Sequence, residues 1–259
     1  MKKCAVHRIK VEYGSGPSQF GHVYHPTEHL GPTRPARLVV LIHGGYWTTE
    51  FGLTIETAIA RQIAERDAVV WNVEYRRVGE PGGGWPNTGR DVVAAICALD
   101  GPVRDALPAE VVDNVDWGSV AVVGHSAGGQ LAVWATAELN ARTEKAGIAT
   151  VIAQSAALDL VAGADRPSIR NLMGRPVDEI PHRYREASPY CLEPFNAHVI
   201  ALHAEDDSAI PVESSRRYVE AVTARGQSAE LIVVPGEGHD AFVDPRSACA
   251  RQTVRLLGI

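Results

Sequence analysis

Ser126 stands in Gly124-His125-Ser126-Ala127-Gly128, directly after the apolar run Val120–Val123 and directly before a helical pattern. A strand that turns sharply into a helix needs glycines where backbones converge. The turn presents the hydroxyl outward, above a helix N-terminus that favours developing negative charge. A serine hydroxyl is a poor nucleophile until a base takes its proton. His239, in Pro235-Gly236-Glu237-Gly238-His239, follows the last expected strand and precedes the last expected helix. A loop imidazole there can reach over the sheet's carboxyl end. The base in turn needs an anion to fix its tautomer, and Asp206 and Asp207 follow the strand Val199–Leu202. The chain order Ser, Asp, His is the one expected when the three groups sit at the ends of successive strands of a parallel sheet. In Leu41-Ile42-His43-Gly44-Gly45-Tyr46-Trp47 a strand ends at His43 and two glycines expose backbone N–H groups. With the N–H of Ala127, Gly44 and Gly45 can hold an oxyanion. The chemistry of this set is acyl transfer through a serine ester.

The remaining histidines read as structural. His22, His25 and His29 are spaced closely enough to consider a metal, but no cysteine or carboxylate pattern joins them, so no metal and no organic cofactor is expected. His43 is expected to shape its loop by hydrogen bonding, and His125 to point away from the hydroxyl. His203 should pack beneath the site. Tyr46, Trp47 and Trp85 are candidate walls of an aromatic substrate pocket. Pro81-Gly82-Gly83-Gly84 lacks the Gly-Lys-Ser/Thr of a phosphate cradle and reads as a loop beside the substrate entrance.

The positioning elements follow from the hydropathy pattern. Short apolar runs alternate with helical patterns, the signature of an α/β fold with a mostly parallel sheet. Val6–Tyr13 and Gln19–Tyr24 read as an antiparallel hairpin, followed by strands at Leu38–Ile42, Ala68–Val73, Ser119–Val123, Thr150–Ala153, Val199–Leu202 and Glu230–Val234. Helices are expected at Ile55–Glu65, Asn87–Leu99, Gly128–Asn140, Pro211–Thr223 and Ser247–Leu257. Asp165–Pro194 breaks the alternation with five prolines and reads as a small cap excursion over one sheet end. No linker divides the 259 residues, so one domain over 1–259 is expected.

Composition excludes other classes. Apolar residues make up 45% and the net charge is −6, with no basic cluster to neutralise phosphates, so nucleic acid is not an expected partner. No apolar segment follows the N-terminal lysines, so a secretory signal is not expected. Trp117–Ala137 carries no charge for 21 residues, but its glycines, His and Gln fit a strand, turn and buried helix better than a membrane span. Cys4, Cys97, Cys191 and Cys249 lie far apart, as small buried hydrophobes in a reducing, cytoplasmic compartment. No motif sets an oligomeric state.

These residues resemble the α/β-hydrolase superfamily over nearly the whole chain, which implies a single-domain, eight-stranded, mostly parallel sheet with helices on both faces. Within it, His43-Gly44-Gly45-Tyr46-Trp47 resembles the HGGxW motif of kynurenine formamidases (arylformamidases) and related small esterases. Glu74-Tyr75-Arg76, Trp85-Pro86 and Asp91 resemble the same branch. The resemblance implies Ser126 as nucleophile, His239 as base and Asp207 as acid, because the acid there commonly lies four residues before a proline opening the next helix, here Pro211. It implies an oxyanion hole from Gly44, Gly45 and Ala127. The sequence departs from the pattern at Ala204, where the family often has glycine. The expected function is cleavage of a small carboxylic ester or activated amide. Kynurenine formamidase is the narrower alternative, an inactive ligand-binding module the alternative of another class, and a peptidase a weaker option.

Overall fold

The computed structural model describes residues 5–27 and 35–259; Cys4 and His29 lie outside them. Eight strands form one sheet: β1 (Val6–Glu12), β2 (Phe20–Pro26), β3 (Leu38–Ile42), β4 (Val69–Val73), β5 (Val120–His125), β6 (Ile148–Gln154), β7 (His198–Ala204) and β8 (Ala229–Val234). Their order is β1-β2-β4-β3-β5-β6-β7-β8. The β1–β2 and β2–β4 pairs are antiparallel and the other five are parallel. This is the expected α/β architecture, with the hairpin at one edge.

The apolar runs of the central strands are continuous because both sheet faces are covered. Successive residues point to opposite faces. Leu38, Val40 and Ile42 join one core with Val69, Trp71 and Val73, while Val39, Leu41 and Val70 join the other. The first layer is closed by α2 (Asn87–Cys97), α5 (Ala127–Glu138) and α8 (Val212–Ala224), the second by α1 (Thr57–Ala64) and α9 (Ala248–Leu257). Residues Ala127 to Thr136 of α5 are all buried, so this helix has no polar face. The uncharged stretch 117–137 thus resolves into β5, a turn and α5. Among the described residues no helix is long and apolar enough to cross a membrane.

Three differences from the sequence reading have physical causes. β5 continues to His125, because His125 pairs with Gln154 on β6; two residues that hydropathy placed in a turn are strand. Two short helices, α3 (Pro102–Ala106) and α4 (Ala109–Asn114), precede β5. The cap excursion contains α6 (Pro167–Met173) and α7 (Pro181–Ala187), each with proline in its first turn. Ile169, Leu172, Met173 and Tyr184 are buried in the same core as α5, so the excursion is rooted in the fold rather than laid over it. Among the cysteines, Cys249 is buried, but Cys191 is exposed and Cys97 half-buried.

Candidate active site

The corner at Ser126 is held by close backbone packing. A Cβ on Gly124 would lie 2.2 Å from the carbonyl oxygen of Gly128, and one on Gly128 would lie 2.2 Å from that of Ile42. Only glycine lets β5, α5 and the end of β3 meet at these distances. Ser126 itself has φ 53° and ψ −116°, a conformation costing a non-glycine residue roughly 1–3 kcal/mol. The surroundings hold it there: its N–H donates to the carbonyl of Gln154 on β6 at 2.8 Å. Ser126 is 7% exposed.

His239 opens a short 3₁₀ turn after β8. Its Nε2 lies 3.0 Å from Ser126 Oγ and its Nδ1 2.7 Å from Asp207 Oδ2. A carboxylate can only accept, so Nδ1 carries the proton and Nε2 is free to accept from the serine hydroxyl. The other oxygen of Asp207 accepts the N–H groups of Ala209 and Ile210, both at 2.8 Å. Burial pushes the Asp207 carboxyl up, but hydrogen bonds from His239, Ile210 and Ser155 outweigh it and hold it at about 2. Asp206 is exposed and its N–H donates to the carbonyl of Glu237; it takes no part in this chain. His203, fully buried, packs beneath, with Nε2 2.8 Å from the Ile210 carbonyl and Nδ1 2.8 Å from Ser215 Oγ.

His125 does not line the Ser126 pocket, but it touches the base. Its Nε2–H donates to the backbone carbonyl of His239 at 3.0 Å, and the two rings lie 4.7 Å apart. Burial, and next the neighbouring His239, drive its imidazole down to about 3, so it stays neutral at ordinary pH.

Gly44 runs against the corner: a Cβ there would sit 2.9 Å from the His125 carbonyl and 3.2 Å from Ser126 Cβ. Gly45 has φ 112°, and a side chain on it would strike Phe51. No described residue engages the N–H groups of Gly44, Gly45 or Ala127. A buried network braces this loop. His43 bonds the Gly44 carbonyl through Nδ1 at 2.7 Å and Glu74 Oε1 through Nε2 at 2.8 Å. Tyr75 stacks on the His43 ring and donates to its carbonyl at 2.8 Å. Burial raises the Glu74 carboxyl, but His43, the Leu53 N–H and Arg77 bring it below its usual range. Arg76 and Asp91 form a bidentate pair at 2.6 and 2.7 Å.

Tyr46 and Trp47 line a pocket of about 30 Å³ that also touches Ser126 and His239. Trp47 contributes an edge only: it is 2% exposed and donates to Gln130 Oε1. Trp85 is a correction to the sequence reading. It packs edge-on against Trp134 at 4.6 Å and borders a separate groove with Arg90 and Glu186. No residue of the loop Pro81-Gly82-Gly83-Gly84 lines the Ser126 pocket either. Among the described residues no group of three or more His, Cys, Asp or Glu side chains could hold a metal.

Three residues, Ser155, Gln130 and Arg166, and one contact, that of His125 with His239, escaped the sequence reading. Ser155 follows β6, which lies between β5 and β7, so its hydroxyl falls beside Asp207; the strand order was the available signal. His125 reaches a residue 114 positions away, and no local pattern encodes that. Gln130 sits inside an apolar helix, where a buried amide must have partners; it bonds Trp47 and the Ala187 carbonyl. Arg166 donates to the Ala209 carbonyl at 2.7 Å and lines the pocket.

Known proteins give this geometry its setting. The chain is 29% identical over 255 residues to the esterase LipC of Mycobacterium tuberculosis (strain ATCC 25618 / H37Rv), covering 90% of this chain and 60% of LipC. It thus spans about 60% of the length of that curated relative. A truncated carbohydrate esterase from gut microbiota superposes with a TM-score of 0.77 at 17% identity, over 100% of this chain and 97% of that one. The butyrate-bound thermophilic esterase Est2 of Thermogutta terrifontis gives 0.71 at 20% identity, over 99% and 92%. These likenesses establish the α/β-hydrolase fold, and because residues 22–222 match the family BD-FAE, the chain belongs to the BD-FAE family.

Proposed function

We propose that the protein is a serine hydrolase that cleaves small carboxylic esters through an acyl-enzyme. The hydrogen-bonded line from Asp207 through His239 to Ser126 carries this reading. His239 Nε2 takes the Ser126 proton as Oγ attacks the acyl carbon, and Asp207 stabilises the imidazolium so formed. The unengaged N–H groups of Gly44 or Gly45, and of Ala127, receive the negative oxygen, each contributing about 10²–10³ in rate. His239 then gives its proton to the leaving alcohol, the C–O bond breaks, and the ester of Ser126 remains. Water, deprotonated by His239, repeats the attack and releases the acid.

The pocket beside Ser126 is small, about 30 Å³, which favours a short acyl group over a long one. The relationship to LipC, an esterase, and the likeness to an esterase that binds butyrate support the same reading. The test is a panel of 4-nitrophenyl esters from acetate to dodecanoate, with N-formyl-kynurenine as a further arm. The expected result is turnover that peaks at acetate to butyrate and vanishes in Ser126→Ala. Turnover of N-formyl-kynurenine at least as efficient as that of 4-nitrophenyl acetate reassigns the enzyme as a formamidase. No turnover of any ester removes the proposal.

A further inference from the structure

A second cavity, of about 270 Å³, adjoins the Ser126 pocket and shares Ala157, Arg166, Ile169 and Ile210 with it. The mechanism above does not use it. Its far wall is formed by α8, through Glu213, Ser214 and Arg217.

The charged groups of this cavity differ in what they are already doing. Asp159 Oδ1 accepts the N–H groups of Val161 and Ala162 at 3.1 and 3.0 Å, which closes its own turn. Glu213 pairs with Arg216 at 3.2 Å. Each carboxylate is thus partly engaged, through Asp159 Oδ1 and Glu213 Oε2, and both lie at the margin of a cavity that also holds two guanidinium groups. Arg217 makes no ion pair or hydrogen bond with any described residue. Arg166 spends Nη1 on the Ala209 carbonyl at 2.7 Å, and that bond leaves Nε and Nη2 unused. The free donors of the cavity are thus guanidinium N–H groups, whose fork matches a carboxylate. Arg166 borders both cavities, so an ester seated at Ser126 passes it on the way to Arg217.

We infer that the cavity between Arg166 and Arg217 binds an anionic group, a carboxylate in the first instance, carried on the same molecule as the ester cleaved at Ser126. The substrate class is then a half-ester, with its anion several bonds from the scissile carbonyl. This inference rests on the hydrolase reading for its substrate, but the anion site can be tested without turnover. The acyl part or the leaving group can carry the anion, and two pairs of substrates separate these cases. For the acyl side they are the 4-nitrophenyl monoester of glutaric acid and 4-nitrophenyl pentanoate. For the leaving-group side they are 4-acetoxybenzoate and 4-methylphenyl acetate.

The measured quantity is the ratio of kcat/KM, anionic over neutral, in wild type, Arg217→Gln, Arg217→Lys and Arg166→Gln/Arg217→Gln. In at least one pair the ratio should fall about 10-fold in the double variant, as loss of charge-assisted hydrogen bonds requires, and Arg217→Lys should retain most of it. A ratio that changes less than about 2-fold in both pairs, against that same expectation, overturns the inference. So does an equal loss on monoacetylglycerol, which would make the cavity a site for neutral hydroxyl groups. Binding of monoethyl glutarate to Ser126→Ala, followed by NMR line shifts, is the turnover-free arm. Saturable shifts that Arg217→Gln abolishes support the anion site even if no ester is hydrolysed, and their absence overturns it.

Discussion

Ser126, Asp207 and His125 are each at most 8% exposed, and the backbone around Ser126 and His125 is fixed by contacts that admit no added side chain. Across the cleft Tyr46 is 48% exposed, and Arg166 and Arg217 also stand in solvent, with donors unspent. One wall comes from the carboxyl ends of β5, β7 and β8, where neighbouring strands dictate position. The other comes from the loop after β3, the excursion and the exposed side of α8. The contrast teaches a division of labour: pre-positioned groups belong to the proposed bond-breaking chemistry, and under-committed groups to the choice of substrate. Fixing the first wall removes conformational freedom that would otherwise be lost during reaction.

The sharpest way to break this division lies within the first wall, at two adjacent carboxylates. Asp207→Asn should lower kcat by roughly 10²–10⁴, because the amide fails to hold the required His239 tautomer. Asp206→Asn, at an exposed side chain outside the hydrogen-bonded line, should change kcat less than about 2-fold, as surface substitutions do. Steady-state kinetics on 4-nitrophenyl butyrate reads both, and equal losses would dissolve the distinction.

Trp85 and Tyr46 extend the comparison to packing. Trp85→Ala empties a buried site against Trp134 and should cost about 3–5 kcal/mol in denaturant unfolding with little change in KM. Tyr46→Ala should do the reverse, raising KM while moving stability by less than about 0.5 kcal/mol. A KM effect at Trp85 as large as that at Tyr46 would return Trp85 to the pocket.

In the short helical turn that precedes α1 one group is discordant. Glu56 is fully buried, neither carboxyl oxygen has a partner among the described residues, and burial drives it up to about 8. Its folded value lies above the unfolded one, near 4.5. The folded state therefore keeps a proton that the unfolded state has lost, and stability falls as pH rises from 4.5 to 8. The slope is on the order of 1.4 kcal/mol per pH unit. Glu56→Gln should thus raise Tm over wild type at pH 8 and little at pH 5. The same gain at both pH values would contradict the assignment.

The first wall was largely legible in the sequence because its constraints are local. Glycine at 124 and 128 announces a strand–helix corner, and a histidine after the last strand announces its reach. The choice of Asp207 over Asp206 came from its register to Pro211. The second wall was not legible. Whether Trp85 faces the cleft or Trp134 is decided by residues from α5 and α7, since Trp134 is tied to the Glu186 carbonyl. Arg166 shows its position only through the Ala209 carbonyl, 43 residues on. The His125–His239 contact depends on β5 running two residues beyond its hydrophobic run. In each case a non-local contact decides where a side chain points, and periodicity carries no record of it.

Labelling with a fluorophosphonate, followed by peptide mass spectrometry, tests the central claim most directly. Wild type should react with one equivalent, with the adduct on Ser126, and Ser126→Ala and His239→Ala should not react. An unlabelled wild type, or equal labelling of Ser126→Ala, would contradict the account and leave a hydrolase fold that binds without cleaving.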